Sequence, residues 1–282
     1  MLYPDAKSWH SATRKSVLFF GMSGLGKTHV SKMLVQQGGW FHYSVDYRIG
    51  TSGMYHHIKD NLITHAMREP FLAEMLRADA IYLEPNVHDH DLSAVSAYLG
   101  KPGNPAKGGL PMAEYTTRQS QFREAEVAAL IDTEAFMTRA QTLYGYPNFI
   151  CDTGGSICEW VDPENDADPL LEKLSQMCLL IWIKGDEEHS QELIRRFDRA
   201  PKPMAYHPDF LARVWAEYLN DNNIKEDDVD PDAFIRWTYA QALAHRQPRY
   251  AAMARHGITV TAGEMHAVAT SDDFDALIAS KL

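Results

Sequence analysis

A chain of 282 residues, 45% hydrophobic and 23% charged, is long enough for one large domain or for a domain carrying an inserted piece, and its composition is that of a globular protein. Its formal net charge of −11 argues against a nucleic-acid or acidic-membrane partner, since either would be met by a basic surface. The first ten residues hold no apolar core of signal-peptide length, and no run approaches the roughly 18 apolar residues of a membrane span. The expected location is therefore the cytoplasm. Three cysteines, Cys151, Cys158 and Cys178, are too few for a disulfide framework and are expected as buried apolar side chains.

The most informative stretch is GMSGLGKT at residues 21–28, which fits G-x-x-x-x-G-K-[ST] at every fixed position. The apolar run SVLFF at residues 16–20 enters it as a strand, and a helix is expected to leave it near Lys27. Gly21, Ser23, Gly24, Gly26, Lys27 and Thr28 are the expected nucleotide-binding residues. The glycines let backbone N–H groups turn inward around a phosphate chain, and the helix dipole aims at the same anion. Lys27 would reach the β- and γ-phosphates and Thr28 would hold Mg²⁺, so ATP and Mg²⁺ are the expected cofactors. A dinucleotide fingerprint is excluded, because after Gly24 and Gly26 the third glycine falls at His29.

Beyond the loop, Val30, Met33 and Leu34 give the helix one buried stripe, and Gly38-Gly39 ends it. Residues 40–45 read as a second strand. Asp46 follows it, placed either to orient or deprotonate a hydroxyl at the ligand-binding edge of a sheet or to cap the next segment. Residues 55–118 change character and read as an insertion, with helical pieces over 54–67 and 70–78 and a Gly- and Pro-rich loop over 100–111. His88, Asp89, His90 and Asp91 lack a matching ligand pair at structural-zinc spacing and read as a solvated turn. Helical spacing returns over residues 122–131.

Residues 148–151 form the expected third strand, which runs into Asp152-Thr153-Gly154-Gly155-Ser156. An acid directly after an apolar strand is where P-loop enzymes orient Mg²⁺ or its water, and the Gly-Gly turn lets backbone N–H groups approach a substrate. A capped glycine turn is the alternative there. Residues 177–183 are the fourth and most apolar strand. A helix over 190–198 carries Arg195, Arg196 and Arg199 up to Pro201-Lys202-Pro203, cations that would either close over phosphates as a lid or lie solvated on the surface. An amphipathic helix over 209–219 and an acidic loop over 221–230 follow. Asp230-Pro231 then starts a helix to about residue 245, and Pro248 is expected to separate it from a further short helix. Residues 257–261 are the fifth strand and 272–282 the last helix. Strands alternating with helices give a five-stranded parallel sheet with helices on both faces.

In this order the motifs resemble the shikimate kinase family, within the nucleoside monophosphate kinase-like P-loop enzymes. The phosphate loop at residues 21–28 is followed by Asp46 after the second strand. Phe122-Arg123-x-x-Glu126 is similar to the family's F-R-x-x-E helix, and Asp152-Thr153-Gly154-Gly155 to its T-G-G-G turn. Pro201-Lys202-Pro203-Met204 resembles its R-P-L lid, and Arg246-x-Pro248-x-Tyr250 its R-x-P-x-Y motif. The likeness covers most of the sheet, but neither the insertion nor residues 206–230. It implies one P-loop kinase-like domain over residues 1–282, an acceptor-side insertion over about 55–118, and a lid and extension over about 195–230. It also implies that Asp46 acts on the acceptor hydroxyl, that Arg123 and Arg246 hold an anion on the acceptor beside Gly154 and Gly155, and that Arg196 and Lys202 cover the nucleotide. The family's first D-x-D acid is Ser44 here, so Asp152 is expected to take over the metal together with Thr28. Ser156 stands at the third turn glycine, and Lys202 replaces the lid arginine. The expected function is ATP- and Mg²⁺-dependent phosphoryl transfer to a hydroxyl of a small anionic metabolite other than shikimate. Its rivals are a P-loop ATPase or switch that uses water and meets a protein partner at the insertion, and a nucleotide-binding module without catalysis.

Overall fold

The computed structural model describes residues 2–88, 91–165 and 167–282. All five expected strands are present: β1 (Ser16–Phe20), β2 (Trp40–Ser44), β3 (Asn148–Asp152), β4 (Leu179–Lys184) and β5 (Ile258–Thr261). They form one all-parallel sheet in the order β2-β3-β1-β4-β5. Every residue of β1 is buried, as its central position requires. Successive side chains of a strand point to opposite faces. Phe19 packs edge-on against Phe274 of the helix Ser271–Ala279, with ring centroids 6.0 Å apart, and Phe20 faces Tyr250 of the helix Pro231–Met253 at 6.1 Å. Helices therefore cover both faces. Phe274 also meets Trp9 and Trp40 edge-on, at 6.3 and 5.7 Å, which makes it the hub of one aromatic core. Among the described residues no helix is long and apolar enough to cross a membrane.

The chain divides into two compact units. The first comprises the residues up to Val45, Leu130–Pro201 and Arg236–Leu282, and carries the sheet. The second, Asp46–Ala129 with Lys202–Ile235, is helical. Its two chain segments are sewn together by the helix Met112–Ile131. The Gln119 side chain donates to the Met204 carbonyl and accepts from the Tyr206 N–H, each at 2.9 Å, and the Tyr115 hydroxyl donates to the same Met204 carbonyl. The stretch 100–111, which has no period of its own, is held by backbone bonds. Asn104 N–H donates to the Val229 carbonyl at 2.8 Å and Gly103 N–H to Leu110 at 2.9 Å.

One expected break is absent. Pro248 lies inside a helix that continues to Met253. Proline lacks an N–H and crowds the carbonyl four residues back, at a cost of about 3 kcal/mol. Bonds on both sides of it offset that cost: Arg246 to Glu159, Arg249 to the carbonyls of Cys158 and Val161, and Tyr250 to Gly155. The structure also adds helices over Ala6–Ser11, Ser93–Leu99, Thr133–Thr142 and Pro169–Met177, and extends the one expected over 190–198 to Glu187–Arg199.

Phe274→Ala is expected to cost about 3–5 kcal/mol of unfolding free energy, measured by urea denaturation. A cost under about 1 kcal/mol would mean that the sheet does not depend on this aromatic cluster.

Candidate functional site

The loop after β1 turns at once. Gly21, Gly24 and Gly26 have φ of 128°, 89° and 97°, a region where a side chain is strained. Gly21 is in addition a close approach, because a Cβ there would lie 2.6 Å from the Ile183 carbonyl oxygen of β4. Gly26 precedes the helix Lys27–Gln37 in a left-handed conformation, and no neighbouring atom lies within 4 Å of where its Cβ would stand. Lys27 is only 7% exposed. Its Nζ donates to the carbonyls of Gly21 and Met22 at 2.9 and 3.0 Å, which holds an ammonium against the loop.

Register brings a carboxylate level with this loop. Phe19 of β1 pairs with Asp152 of β3, and Asp152 also pairs with Ser44 of β2. Thr28, one residue into the helix, donates from Oγ1 to Asp152 Oδ2 at 2.8 Å. His42 Nε2 lies 3.3 Å from the same oxygen. Two hard oxygen donors, a hydroxyl and a carboxylate, meet beside backbone that can wrap a phosphate. That donor set fits Mg²⁺, which is bound through one or two protein oxygens together with substrate phosphates and waters. Among the described residues no group of three or more His, Cys, Asp or Glu side chains is placed to hold a metal. Asp89 and His90, part of the His and Asp run noted in the sequence, lie outside the described residues.

The turn after β3 is fixed from two sides. Thr153 Oγ1 donates to the Phe19 carbonyl at 2.8 Å. On the other side, the Tyr250 hydroxyl and Arg246 Nη1 both donate to the Gly155 carbonyl. A Cβ on Gly155 would come 3.4 Å from the Ser23 backbone nitrogen, so this turn and the phosphate loop are neighbours. Arg246 Nε donates to Glu159 Oε1 at 2.7 Å, and His245 Nε2 lies 3.1 Å from Glu159 Oε2. Burial opposes the Arg246 charge, but Glu159, Tyr250 and Cys158 together raise its pKa above the ordinary arginine range. Burial lowers His245 despite the same carboxylate. Burial also pushes the Cys151 and Cys158 thiols up to about 12, so both stay protonated near neutral pH and serve as apolar filling.

The structure thus brings Gly21, Ser23, Gly24, Gly26, Lys27, Thr28, Asp152, Gly154, Gly155 and Arg246 into one region of the first unit. The helix Glu187–Arg199 flanks the loop, since a Cβ on Gly24 would lie 3.0 Å from Leu193 Cδ2. Its Arg196 is exposed and pairs with Glu192 at 2.8 Å. Asp46, Arg123 and Lys202 belong to the second unit. Asp46 is half-buried in the one-turn helix Val45–Arg48, and Arg123 and Lys202 are exposed. His42, Glu159 and His245 are polar residues of this region that motif reading passed over. His42 sits inside a strand of ordinary composition, and only the register between β2 and β3 reveals it.

No protein-family model matches the sequence, and no curated protein does. Among solved structures the chain is similar to the shikimate kinase of Bacteroides thetaiotaomicron, at 16% identity over 84% of this chain and 82% of that one, with a TM-score of 0.32. A likeness of that size adds nothing to the sheet order and loop geometry described above.

Removing one member of a buried ion pair leaves the other charge uncompensated. Glu159→Gln is therefore expected to cost about 3–5 kcal/mol of stability, read by chemical denaturation. A cost under about 1 kcal/mol would show that the Arg246 charge is balanced by other groups.

Proposed function

We propose that the glycine loop binds the phosphates of ATP with Mg²⁺, and that the protein transfers the γ-phosphoryl group to a hydroxyl of a small molecule. The observation that carries this reading is the 2.8 Å contact between Thr28 Oγ1 and Asp152 Oδ2, at the start of a helix whose buried lysine spans a loop of three positive-φ glycines. A Gly-rich turn without a ligand has no need of a lysine, a hydroxyl and a carboxylate converging at its end. Phosphoryl transfer asks mainly for positioning and charge neutralisation, which these groups supply.

In this reading Lys27 leaves the Gly21 and Met22 carbonyls for the β- and γ-phosphates, while the loop N–H groups of residues 21–26 cradle the phosphate chain. Thr28 and Asp152 would hold Mg²⁺, which would neutralise charge that develops during phosphoryl transfer. Arg196 and Lys202 are assigned to cover the nucleotide. Asp46 is assigned to orient or deprotonate the acceptor hydroxyl, and Arg123 to meet an anion on it; both assignments rest on the order of motifs in the sequence. Gly154 and Gly155 would supply backbone contacts to the acceptor. Arg246 already faces the Glu159 carboxylate, so its proposed contribution is to hold the Gly155 carbonyl in place. The net charge of −11 supports a small-molecule acceptor over nucleic acid or an acidic membrane.

The test is a steady-state assay of ADP release from Mg-ATP, with the protein alone and with pools of hydroxylated acids, sugars and nucleotides. Release is expected to rise with one pool and to fall by about 10²–10³-fold in Lys27→Ala. Asp46→Asn is expected to keep ATP binding and lose about 10²–10⁴-fold in rate. Release that is equal across all pools yet lost in Lys27→Ala would instead indicate water as the acceptor.

A further inference from the structure

We infer that His42 is a positioning residue for the metal-binding carboxylate, donating a hydrogen bond from Nε2 to Asp152 Oδ2. The inference rests on the nucleotide-and-Mg²⁺ reading above and extends it to a residue that no motif includes. His42 pairs with Ile150 in the β2–β3 register, so Asp152, two residues further along β3, is its diagonal neighbour on the same face of the sheet. A long side chain spans that diagonal, and the imidazole reaches the carboxylate at 3.3 Å. Both side chains are largely buried, at 14% and 7% exposed, so solvent screens the contact little.

The geometry of the carboxylate gives the contact its consequence. Thr28 Oγ1 and His42 Nε2 converge on one oxygen, Oδ2, from two different elements, the helix after the loop and the neighbouring strand β2. One donor fixes a distance and leaves the carboxylate able to swing about it. Two donors from separate directions fix the plane. Oδ1 is then presented in a constant direction to a cation or to its bound water. Thr28 cannot supply this alone, because its hydroxyl oxygen is itself the proposed ligand and must turn with the metal. An outer partner of this type is worth about 10–100-fold in metal affinity where it has been removed from other sites.

The test is a comparison of affinity for the non-hydrolysable analogue AMPPNP in EDTA and in saturating Mg²⁺, by calorimetry. By linkage, the ratio of the two affinities is the gain that the protein gives to metal binding on the nucleotide. His42→Phe keeps the ring shape and removes the donor, whereas His42→Gln keeps a donor near the position of Nε2. We expect His42→Phe to lower the Mg²⁺-linked gain by about tenfold, with the affinity in EDTA unchanged, and His42→Gln to retain most of the gain. A gain that survives in His42→Phe overturns the inference. So does an equal loss in both variants, or a loss that appears already in EDTA, since either means that the ring acts by packing. Failure of the wild-type protein to bind AMPPNP at all would be a failure of the nucleotide reading itself, visible before any variant is compared.

Discussion

Parallel pairing at one level of the sheet is the constraint on which the rest of the site depends. β1 lies between β3 and β4, and its last residues stand beside Asp152 on one side and Ile181 and Trp182 on the other. Where β1 gives way to the glycine loop, a carboxylate is therefore already level with it. A slip of one residue between β1 and β3 would turn Asp152 to the opposite face and leave Thr28 without that partner. Burial on both faces resists such a slip, because Phe19 and Phe20 are locked into separate aromatic clusters by Phe274 and Tyr250.

The second support is the buried pair of Glu159 and Arg246. Desolvating two charges can cost more than their attraction returns, so such a pair endures only where further hydrogen bonds complete it. Here both Glu159 oxygens are met, Oε1 by Arg246 and Oε2 by His245, and Arg246 keeps Nη1 for the Gly155 carbonyl. The helix Pro231–Met253 is thereby fastened to the turn that faces the phosphate loop, with Tyr250 as a second donor to the same carbonyl. The family likeness read from the motifs implies an anion on the acceptor as the partner of Arg246. In this chain Arg246 Nε donates to a carboxylate of the protein itself, Glu159.

The sheet was legible because parallel strands buried on both faces read as short apolar runs, and the phosphate loop because its glycines, lysine and threonine are consecutive. What could not be read is what lies far apart in the chain. Thr28 and Asp152 are 124 residues apart, and His42 and Asp152 are 110 apart. Motif logic pointed to the first pair, but nothing in WFHYS marks the histidine of the second. Pro248 misled for a related reason, since the local rule for proline is sound and was overridden by bonds to Gly155, Cys158, Glu159 and Val161 that local sequence does not record. The helix Pro169–Met177 differs, because its signal was local. Asp168 caps Leu171 N–H at 2.8 Å with proline at the first helical position, the arrangement that was read correctly at Asp230-Pro231.

Two carboxylates of similar burial lie in the sheet-bearing unit, and their partners separate their roles. Glu159 and Asp152 are 3% and 6% exposed, so burial alone ranks them together. Glu159 is faced by a guanidinium at 2.7 Å, a full positive charge that satisfies it within the protein. Asp152 is faced by a hydroxyl and an imidazole, which orient it through hydrogen bonds. A divalent cation approaching Glu159 would have to displace Arg246 from a buried pair, whereas at Asp152 it would add charge where the protein has supplied orientation. Lys27, the cation of the loop, donates to the carbonyls of Gly21 and Met22, acceptors whose place phosphate oxygens would take in the proposed reading. The Glu159 charge is thus met by a cation of the protein itself, while Asp152 is held by hydrogen-bonding groups from two elements, an arrangement that suits a ligand bringing a metal.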